Sequence, residues 1–552
     1  MNKRWLSQYP AGTPAEINVA EYASLKALIE SSCKEFATRP AFLQMGQSMT
    51  YAQVDQLATR FGAWLQQRGL RKGDRIAIML PNILQYPIVM FGALRAGLVV
   101  VNTNPLYTPT ELEHQLRDSG AAALVVLNNF AAVAEQAVPG TSVRHVLVTG
   151  VGDLLSFPRG TLVNFVLRYV QRKVPEWNIP GAHTLGSIFK TAPDEMESVE
   201  ISHDDIAYLQ YTGGTTGVAK GAMLTHGNMV ANVLQSRAWF RQVRLDNTTY
   251  VCALPLYHIF SLTANCLLFT SLGGTGQLIA NPRDFAGFVR ELRAHPPMFF
   301  MGVNTLFNSL MNTPGFAQLD FSKLVATVGG GMAVQRAVAE RWEKVTGCVL
   351  TQGWGLTEAS PAGCVNPLVG VGFTGAVGLP LPSTEVSIRD DAGVELGVDD
   401  VGEICLRGPQ VMRGYWHRPE ETAKVMLPNR WLRTGDIGRM DERGYVFIED
   451  RKKDMIIVSG FKVFPNEVED VVAQLPGIAE VAAVAQPDEH SGEVVALYVV
   501  RKDPTLTAEA ILAHCQKYLT GYKQPRHIYF KTELPKTNVG KILRRALRES
   551  VD

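Results

Sequence analysis

The chain has 552 residues, too many for a single hydrophobic core, so at least two domains are expected. Hydrophobic residues make up 46% and charged residues 19%, which excludes a disordered or fibrous protein. The 53 lysines and arginines nearly balance the 52 acidic residues, and a net charge of +1 gives no reason to expect a nucleic-acid partner.

The first part of the chain alternates helical and strand-like patterns. The predicted elements are a helix over 53–69, a strand over 75–80, a helix over 84–97 and strands over 98–101, 123–127 and 145–149. Alternation of this kind predicts parallel α/β layers.

A long uncharged stretch covers 247–282, where His258 is the only residue with a readily ionised side chain. Its length would allow a membrane span. It also contains Pro255 and Asn265 and is interrupted by the Gly273-Gly274 pair, which favours a buried helix and strand of a large core. The seven cysteines are scattered without a Cys-x-x-Cys pair, and no secretory signal is visible, so free thiols in a reducing, cytoplasmic compartment are expected.

The character of the chain changes from about Ser383. Short strands predicted over 385–389, 403–407 and 444–449 indicate a small β subdomain, and from 455 strands over 480–485 and 494–500 with a helix over 508–519 indicate an α+β domain. The charged run 450–454 separates the two. We therefore predict an N-terminal domain over 1–449 and a C-terminal domain over 455–552, joined by 450–454.

The segment 211–221 is rich in phosphate-binding residue types. It contains four glycines, three threonines and one lysine after an apolar strand, and so offers backbone N–H groups, hydroxyls and an ammonium group to a polyphosphate. It is not a P-loop, because Lys220 is preceded by Ala219 and followed by Gly221.

Four further motifs follow in order, over 352–358, 431–436, 450–454 and 535–541. Singly, each has a plain structural alternative: Glu358 as a helix-start carboxylate, Asp436 as a turn residue and Lys541 as an exposed, solvated cation. Their order and spacing together favour a catalytic site.

Taken together, these motifs resemble the acyl-adenylate-forming superfamily, which includes acyl-CoA synthetases, luciferases and the adenylation domains of peptide synthetases. The resemblance covers essentially the full chain. Segment 429–438, continuing to 448–453, is similar to the fatty acyl-CoA synthetase signature, with Arg433 where histidine is usual and Trp354 of the earlier motif where tyrosine is common. The segments 104–108, 255–260, 281–284 and 459–469 resemble proteobacterial long-chain fatty acid–CoA ligases.

This resemblance implies an α/β fold with a large multi-subdomain N-terminal domain, a β subdomain and a small mobile α+β C-terminal domain. It also implies two half-reactions with ATP, coenzyme A and Mg²⁺, in which a long-chain fatty acid becomes acyl-AMP with release of pyrophosphate and then acyl-CoA. The implied ATP-binding residues are Thr212, Gly213, Gly214, Thr215, Thr216, Gly217, Lys220, Gly330, Gly331, Trp354, Gly355, Asp436 and Arg451.

The same resemblance implies catalytic roles for Lys541, His258, Thr357 and Glu358, and a Mg²⁺ site at Glu358 and Thr215. It also implies a hinge at Lys453 and a coenzyme A path past Gly460. A core histidine remains the alternative for His258. The acyl cavity is expected to be walled by 247–282 and 302–311, which also fit ordinary core.

Two other function classes stay open. One is activation of aryl or medium-chain acids, or transfer to a carrier protein; the other is a non-enzymatic fatty-acid binder, which has no chemical use for the acid and base residues above. Peripheral association with the inner membrane and a homodimer are further expectations.

For the membrane contact, the sequence indicates a basic amphipathic helix over 161–172, with Arg168, Arg172 and Lys173 beside an apolar face and Arg159 upstream. A helix packed on its own domain is the alternative.

Overall fold

The computed structural model describes residues 3–212, 219–243, 248–537 and 539–549. Within them the strands, in chain order, are β1 (Pro40–Gln44), β2 (Gln47–Thr50), β3 (Arg75–Met79), β4 (Val99–Asn102), β5 (Ala123–Leu127), β6 (His145–Thr149), β7 (His183–Thr184), β8 (Ile206–Thr212), β9 (Lys220–Thr225), β10 (Thr249–Cys252), β11 (Thr275–Leu278), β12 (Phe299–Gly302), β13 (Ala326–Gly329), β14 (Leu350–Gly355), β15 (Ala362–Val365), β16 (Leu379–Pro380), β17 (Glu385–Arg389), β18 (Gly402–Arg407), β19 (Gly414–Tyr415), β20 (Met426–Leu427), β21 (Trp431–Met440), β22 (Val446–Arg451), β23 (Ile456–Val458), β24 (Phe461–Val463), β25 (Ile478–Asp488), β26 (Gly492–Arg501) and β27 (His527–Lys531).

The α-helices of the same residues are α1 (Leu25–Glu35), α2 (Tyr51–Gln67), α3 (Gln85–Arg95), α4 (Pro109–Ser119), α5 (Ala131–Ala137), α6 (Arg159–Phe165), α7 (Leu185–Thr191), α8 (His226–Trp239), α9 (Ile259–Ser261), α10 (Leu268–Thr270), α11 (Phe285–Ala294), α12 (Asn304–Met311), α13 (Arg336–Thr346), α14 (Pro419–Val425), α15 (Pro465–Ala473), α16 (Ala508–Tyr518) and α17 (Arg544–Arg548). Shorter helical turns connect several of them.

Two large, mostly parallel sheets form the N-terminal domain. One has the order β19-β9-β8-β4-β3-β5-β6-β7 and the other β16-β15-β14-β13-β12-β10-β11-β1-β2 in the described part of the chain. The strands β8, β13 and β14 end at Thr212, Gly329 and Gly355, and ligands of open α/β sheets bind at such carboxyl ends. The predicted parallel α/β architecture is confirmed.

The uncharged stretch 247–282 is part of this core. It forms β10, a continuous helical run over Ile259–Thr270 that includes a π-helical segment, and β11, and most of its side chains are buried. No helix among the described residues is long and apolar enough to cross a membrane. The buried-core interpretation is therefore confirmed.

The β subdomain is an antiparallel sheet in the order β17-β18-β21-β20, with β22 paired to β21. The strand predicted over 444–449 is displaced to Val446–Arg451, because Gly444 occupies the preceding turn with a φ of 90°. Asp450 and Arg451 are therefore strand residues paired with Ile437 and Asp436.

The C-terminal part has the predicted α+β pattern. Its sheet has the order β24-β23-β26-β25, with β27 parallel to β26. Side chains of α15 and α16, including Val468, Val472 and Ile511, join the sheet residues in a separate hydrophobic core.

The basic amphipathic segment is helical, as α6 and a π-helical turn over Val166–Val170. Val163 packs against the core, whereas the side chains of Leu162, Phe165, Tyr169 and Val170 are 51–67% exposed. The segment therefore packs on its own domain through Val163 and also leaves these four side chains exposed.

Candidate active site

A cavity of about 980 Å³ lies where the two large sheets, the β subdomain and the C-terminal part meet. Among the residues lining it are the predicted Thr212, Lys220, His258, Gly330, Gly331, Trp354, Gly355, Thr357, Glu358, Arg451, Lys453 and Lys541. Residues separated by more than 300 positions in the chain therefore share one cavity.

The phosphate-loop motif begins and ends on two paired strands. Thr212 and Lys220 are cross-strand partners in the antiparallel β8–β9 pair. The ammonium group of Lys220 forms an ion pair with Glu421 and lies 5.4 Å from the ring centre of Tyr415. The remaining predicted residues of this motif, Gly213, Gly214, Thr215, Thr216 and Gly217, lie outside the described residues.

An aromatic and acidic cluster connects β14 to the β subdomain. The indole Nε1–H of Trp354 donates to Oδ2 of Asp436 at 2.8 Å, and the Nε of Arg451 lies 2.8 Å from Oδ1. Asp436 is buried, and its carboxylate is compensated by these two donors. These two partners hold the carboxylate of Asp436 in place within β21, so the alternative of a turn residue is wrong.

Three glycines bring the backbone close to its neighbours in the cavity wall. A Cβ on Gly355 would lie 2.0 Å from the carbonyl oxygen of Pro361, and one on Gly330 would lie 2.9 Å from that of Gly353. Gly331 has a φ of 75°, and a Cβ there would lie 3.5 Å from Cε of Lys541. Side chains at these positions would narrow the space around Lys541 or displace the wall.

Glu358 occupies a short helical turn, Thr357–Ala359, directly after β14. Its Oε1 accepts a hydrogen bond from the hydroxyl of Tyr415 at 2.7 Å. That bond fixes the carboxylate inside the cavity, and no described residue contributes a hydrogen bond to Oε2 in the structure.

Lys541 is brought into the cavity from near the C-terminus. The carbonyl of Gly540 accepts a hydrogen bond from Oγ1 of Thr305 at 2.9 Å, and the N–H of Lys541 donates to Oγ1 of Thr537 at 3.1 Å. Burial, together with the nearby Arg451 cation, lowers the pKa of Lys541 to about 8. The alternative of an exposed, solvated cation is wrong.

His258 lies beside Lys541 as a neutral imidazole. Burial, assisted by the Lys541 charge, lowers the pKa of His258 to about 3. Its Nδ1 accepts from the N–H of Phe260 at 3.3 Å, which leaves the ring proton on Nε2. His258 is therefore both the backbone-bonded histidine of the plain alternative and a potential N–H donor to the cavity.

Gly460 is not brought to the cavity. It lies in the β23–β24 turn with a φ of 85°, and a Cβ there would meet no atom within 4 Å. In the orientation seen here, the predicted coenzyme A path is apart from the residues around Lys541.

Several cavity residues have no motif in the sequence. Tyr415, Glu421, Phe240, Met301 and Val328 line it from five different elements. No spacing rule links them, because the tertiary fold alone brings them together. Of the two predicted wall segments, 247–282 supplies Ile259, Phe260 and Ala264 to the lining. Thr305 and Asn308 of α12 bond to the C-terminal part, and a wall over 302–311 stays a prediction.

Two family models match the chain. One described as AMP-binding enzyme matches residues 29–416, and one described as AMP-binding enzyme C-terminal domain matches 467–541. The chain belongs to the AMP-binding enzyme family, which is part of the acyl-adenylate-forming superfamily expected from the motifs.

Among curated relatives, a long-chain-fatty-acid–CoA ligase of Escherichia coli O157:H7 is 54% identical over 553 residues, covering 100% of this chain and 98% of the relative. A ligase of the same name from Bacillus subtilis is 38% identical, covering 99% and 98%. Among solved structures, the anthranilate CoA ligase AuaEII in complex with anthranoyl-AMP superposes with a TM-score of 0.86 at 25% identity, covering 97% of this chain and 99% of that chain. The adenylate-forming fold expected from the motifs is confirmed.

Proposed function

We propose that this chain is a long-chain fatty acid–CoA ligase that forms acyl-AMP from a fatty acid and ATP and then transfers the acyl group to coenzyme A. The observation that carries the proposal is the convergence of Lys541, His258, Glu358, Trp354 and Arg451 on one cavity, with the buried Asp436 bonded to the last two. A non-enzymatic binder would have no use for a buried cation and a fixed carboxylate in one cavity.

In the first half-reaction, an oxygen of the fatty-acid carboxylate attacks the α-phosphorus of ATP and pyrophosphate leaves. Lys541 is positioned to attract both anions, which otherwise repel each other. The Nε2–H of neutral His258 can hydrogen-bond the carboxylate without fixing it as a rigid ion pair. Trp354 and the Gly330–Gly331 backbone would hold the adenine, and Asp436 with Arg451 the ribose.

The donor set fits a Mg²⁺ ion held jointly with ATP. No group of three or more metal-ligating side chains occurs among residues 3–212, 219–243, 248–537 and 539–549. Mg²⁺ at nucleotide sites usually takes one or two carboxylates plus phosphate oxygens, and Glu358 offers one such carboxylate. The ion would neutralise charge on the phosphates, with Glu358, Thr357 and Thr215 orienting it.

In the second half-reaction, the sulfur of coenzyme A attacks the acyl carbon and AMP leaves. Gly460 is not among the residues that line the cavity in this orientation. We therefore infer that the C-terminal domain rotates about a hinge at Lys453, with 450–454 as its connection. This rotation would remove Lys541 and bring Gly460 beside the thiol path.

Substrate preference tests the proposal directly. Each buried CH₂ contributes ~0.8 kcal/mol, so a cavity with apolar walls should favour long chains strongly. We expect CoA-thioester formation with palmitate to exceed that with octanoate, acetate and benzoate in kcat/KM. Faster turnover of benzoate or acetate would point to another acid-activating enzyme.

We further propose that the enzyme contacts an anionic membrane through α6 and the adjoining turn, a region we call the α6 surface (residues 157–173). Phe157, Leu162 and Val170 are 87%, 61% and 67% exposed. The α6 surface contains four basic and no acidic residues. Exposed apolar groups beside cations complement an anionic bilayer, and each cation contributes about 1 kcal/mol near such a surface.

Vesicle flotation checks this contact. The protein should float with phosphatidylcholine–phosphatidylglycerol vesicles and not with phosphatidylcholine alone, and changing Arg168, Arg172 and Lys173 together to Glu should abolish flotation. Arg443→Glu, an exposed cation in the β subdomain, serves as the control. Unchanged flotation of the triple variant would exclude this surface as the membrane contact, and loss of a homodimer instead would identify a second copy as its occupant.

A further inference from the structure

A buried carboxylate links the two sides of the proposed hinge. Asp450 is the last but one residue of β22, which pairs with β21 of the β subdomain. Its side chain is fully buried and points to groups that follow Lys453 in the chain. Asp450 thus belongs to the β subdomain and bonds to groups of the C-terminal domain.

Three contacts join the β subdomain to the C-terminal domain at Glu449 and Asp450. The N–H of Asn466 donates to Oδ2 of Asp450 at 2.9 Å, and Nη1 of Arg544 lies 3.3 Å from Oδ1. The side-chain amide of Asn466 donates to the carbonyl of Glu449 at 3.3 Å. Asn466 is the second residue of α15, and Arg544 is the first residue of α17, only three residues after Lys541.

Arg544 has other partners that do not cross the hinge. Its guanidinium donates to both oxygens of Glu469, at 2.9 and 3.0 Å, and lies 3.6 Å from Asp454. Rotation about Lys453 would therefore separate Asp450 from Arg544 while leaving Arg544 compensated. Asp450 would gain solvent in exchange for its lost donors.

We propose that Asp450 is a positioning residue that latches the C-terminal domain in the orientation placing Lys541 in the cavity. The inference rests on the proposed two-step function. Buried ion pairs contribute little net stability, because desolvation offsets their attraction, yet they specify one geometry. A latch of this kind holds the adenylating orientation and still releases reversibly for thioester formation.

The test compares the two half-reactions separately. Asp450→Asn keeps the side-chain shape but removes the charge that attracts Arg544. We expect formation of palmitoyl-AMP from ATP and palmitate, measured as pyrophosphate release without coenzyme A, to fall on the order of tenfold. Conversion of supplied palmitoyl-AMP and coenzyme A to thioester should change less than about twofold, since the latch is open in that step.

Glu469→Gln is the matched control, because it removes a charge from the same guanidinium without crossing the hinge. It should leave the ratio of the two half-reactions unchanged. If Asp450→Asn does not fold, Asn466→Ala removes the amide contact to Glu449 and should lower adenylation selectively, by a smaller factor. Equal losses in both half-reactions, or no loss in either, would overturn the latch. Wild-type protein that forms no acyl-AMP from any fatty acid would instead refute the proposed function.

Discussion

The indole of Trp354 and the carboxylate of Asp436 are bonded at 2.8 Å across the junction between β14 and β21. This bond joins two strands that belong to different sheets. Because Asp436 is buried, its remaining partner, Arg451, cannot by itself replace the indole N–H.

Trp354→Phe keeps an aromatic face and removes only this donor. A buried acceptor left without its donor costs about 1–3 kcal/mol, so we expect the KM for ATP to rise roughly tenfold or more, with a smaller change in kcat. Trp354→Tyr, which restores a hydroxyl, should be less impaired. Equal ATP kinetics for wild type and the Phe variant would argue that the bond does not shape the nucleotide site.

Lys541→Ala should separate the half-reactions. Loss of one oriented cation from an enclosed site typically reduces a rate by ~10²–10³, so acyl-AMP formation should fall by about that factor. Thioester formation from supplied acyl-AMP should stay near normal. Equal impairment of both steps in a folded variant would show that Lys541 does not act in adenylation alone.

Gly460→Leu should have the opposite effect and accumulate acyl-AMP, because a bulky side chain would block the thiol path. The φ of 85° means that any other residue strains this turn, while the surrounding space is open. Gly460→Ala carries the same strain with little bulk and is the required control. If Ala and Leu slow thioester formation equally, strain and not obstruction is responsible.

The adenylation step should lose activity at alkaline pH. Lys541 with a pKa of about 8 is protonated below that value and neutral above it. We expect kcat/KM for acyl-AMP formation to fall about tenfold per pH unit above the apparent pKa. Lys541→Arg, whose guanidinium stays charged, should lose this decline, whatever its residual rate. A decline that persists in the Arg variant would assign it to another group.

Gly355→Ala should destabilise the N-terminal domain. Its Cβ would overlap the carbonyl oxygen of Pro361, so backbone must move, at a cost of roughly 1–3 kcal/mol. Thermal unfolding should show a lower Tm than for the wild type. Gly372→Ala is the matched control, because no atom lies within 4 Å of a Cβ there. Equal Tm values for the two variants would contradict the close packing at Gly355.

Local patterns predicted the elements well where hydrophobic periodicity is strong. The strands at Ala123–Leu127, His145–Thr149 and Glu385–Arg389 have the predicted bounds. The predicted strand over 444–449 is displaced because Gly444 forms the turn before the strand. A glycine at the edge of a strand pattern can belong to the adjoining turn, because glycine adopts a positive φ without strain.

The motif residues of the site were predictable because nucleotide chemistry restricts residue types and spacing. The apolar lining was not. Phe240 and Met301 look like ordinary core residues in sequence, and only the packing of the short turn after α8 against β12 brings them both to the cavity. The ion pair of Lys220 with Glu421 was equally invisible, since 200 residues separate the two positions.

The strand β9, which begins at Lys220, also pairs on its other side with the short strand β19. Tyr415 of β19 lies opposite Ala222 and bonds Glu358 through its hydroxyl. A phosphate bound at the proposed site on Lys220 would act on β9, and β9 is joined through β19 and Tyr415 to the carboxylate of Glu358, the proposed Mg²⁺ ligand. Nucleotide and metal would thus adjust each other's positions through the backbone, without needing to touch the same side chain.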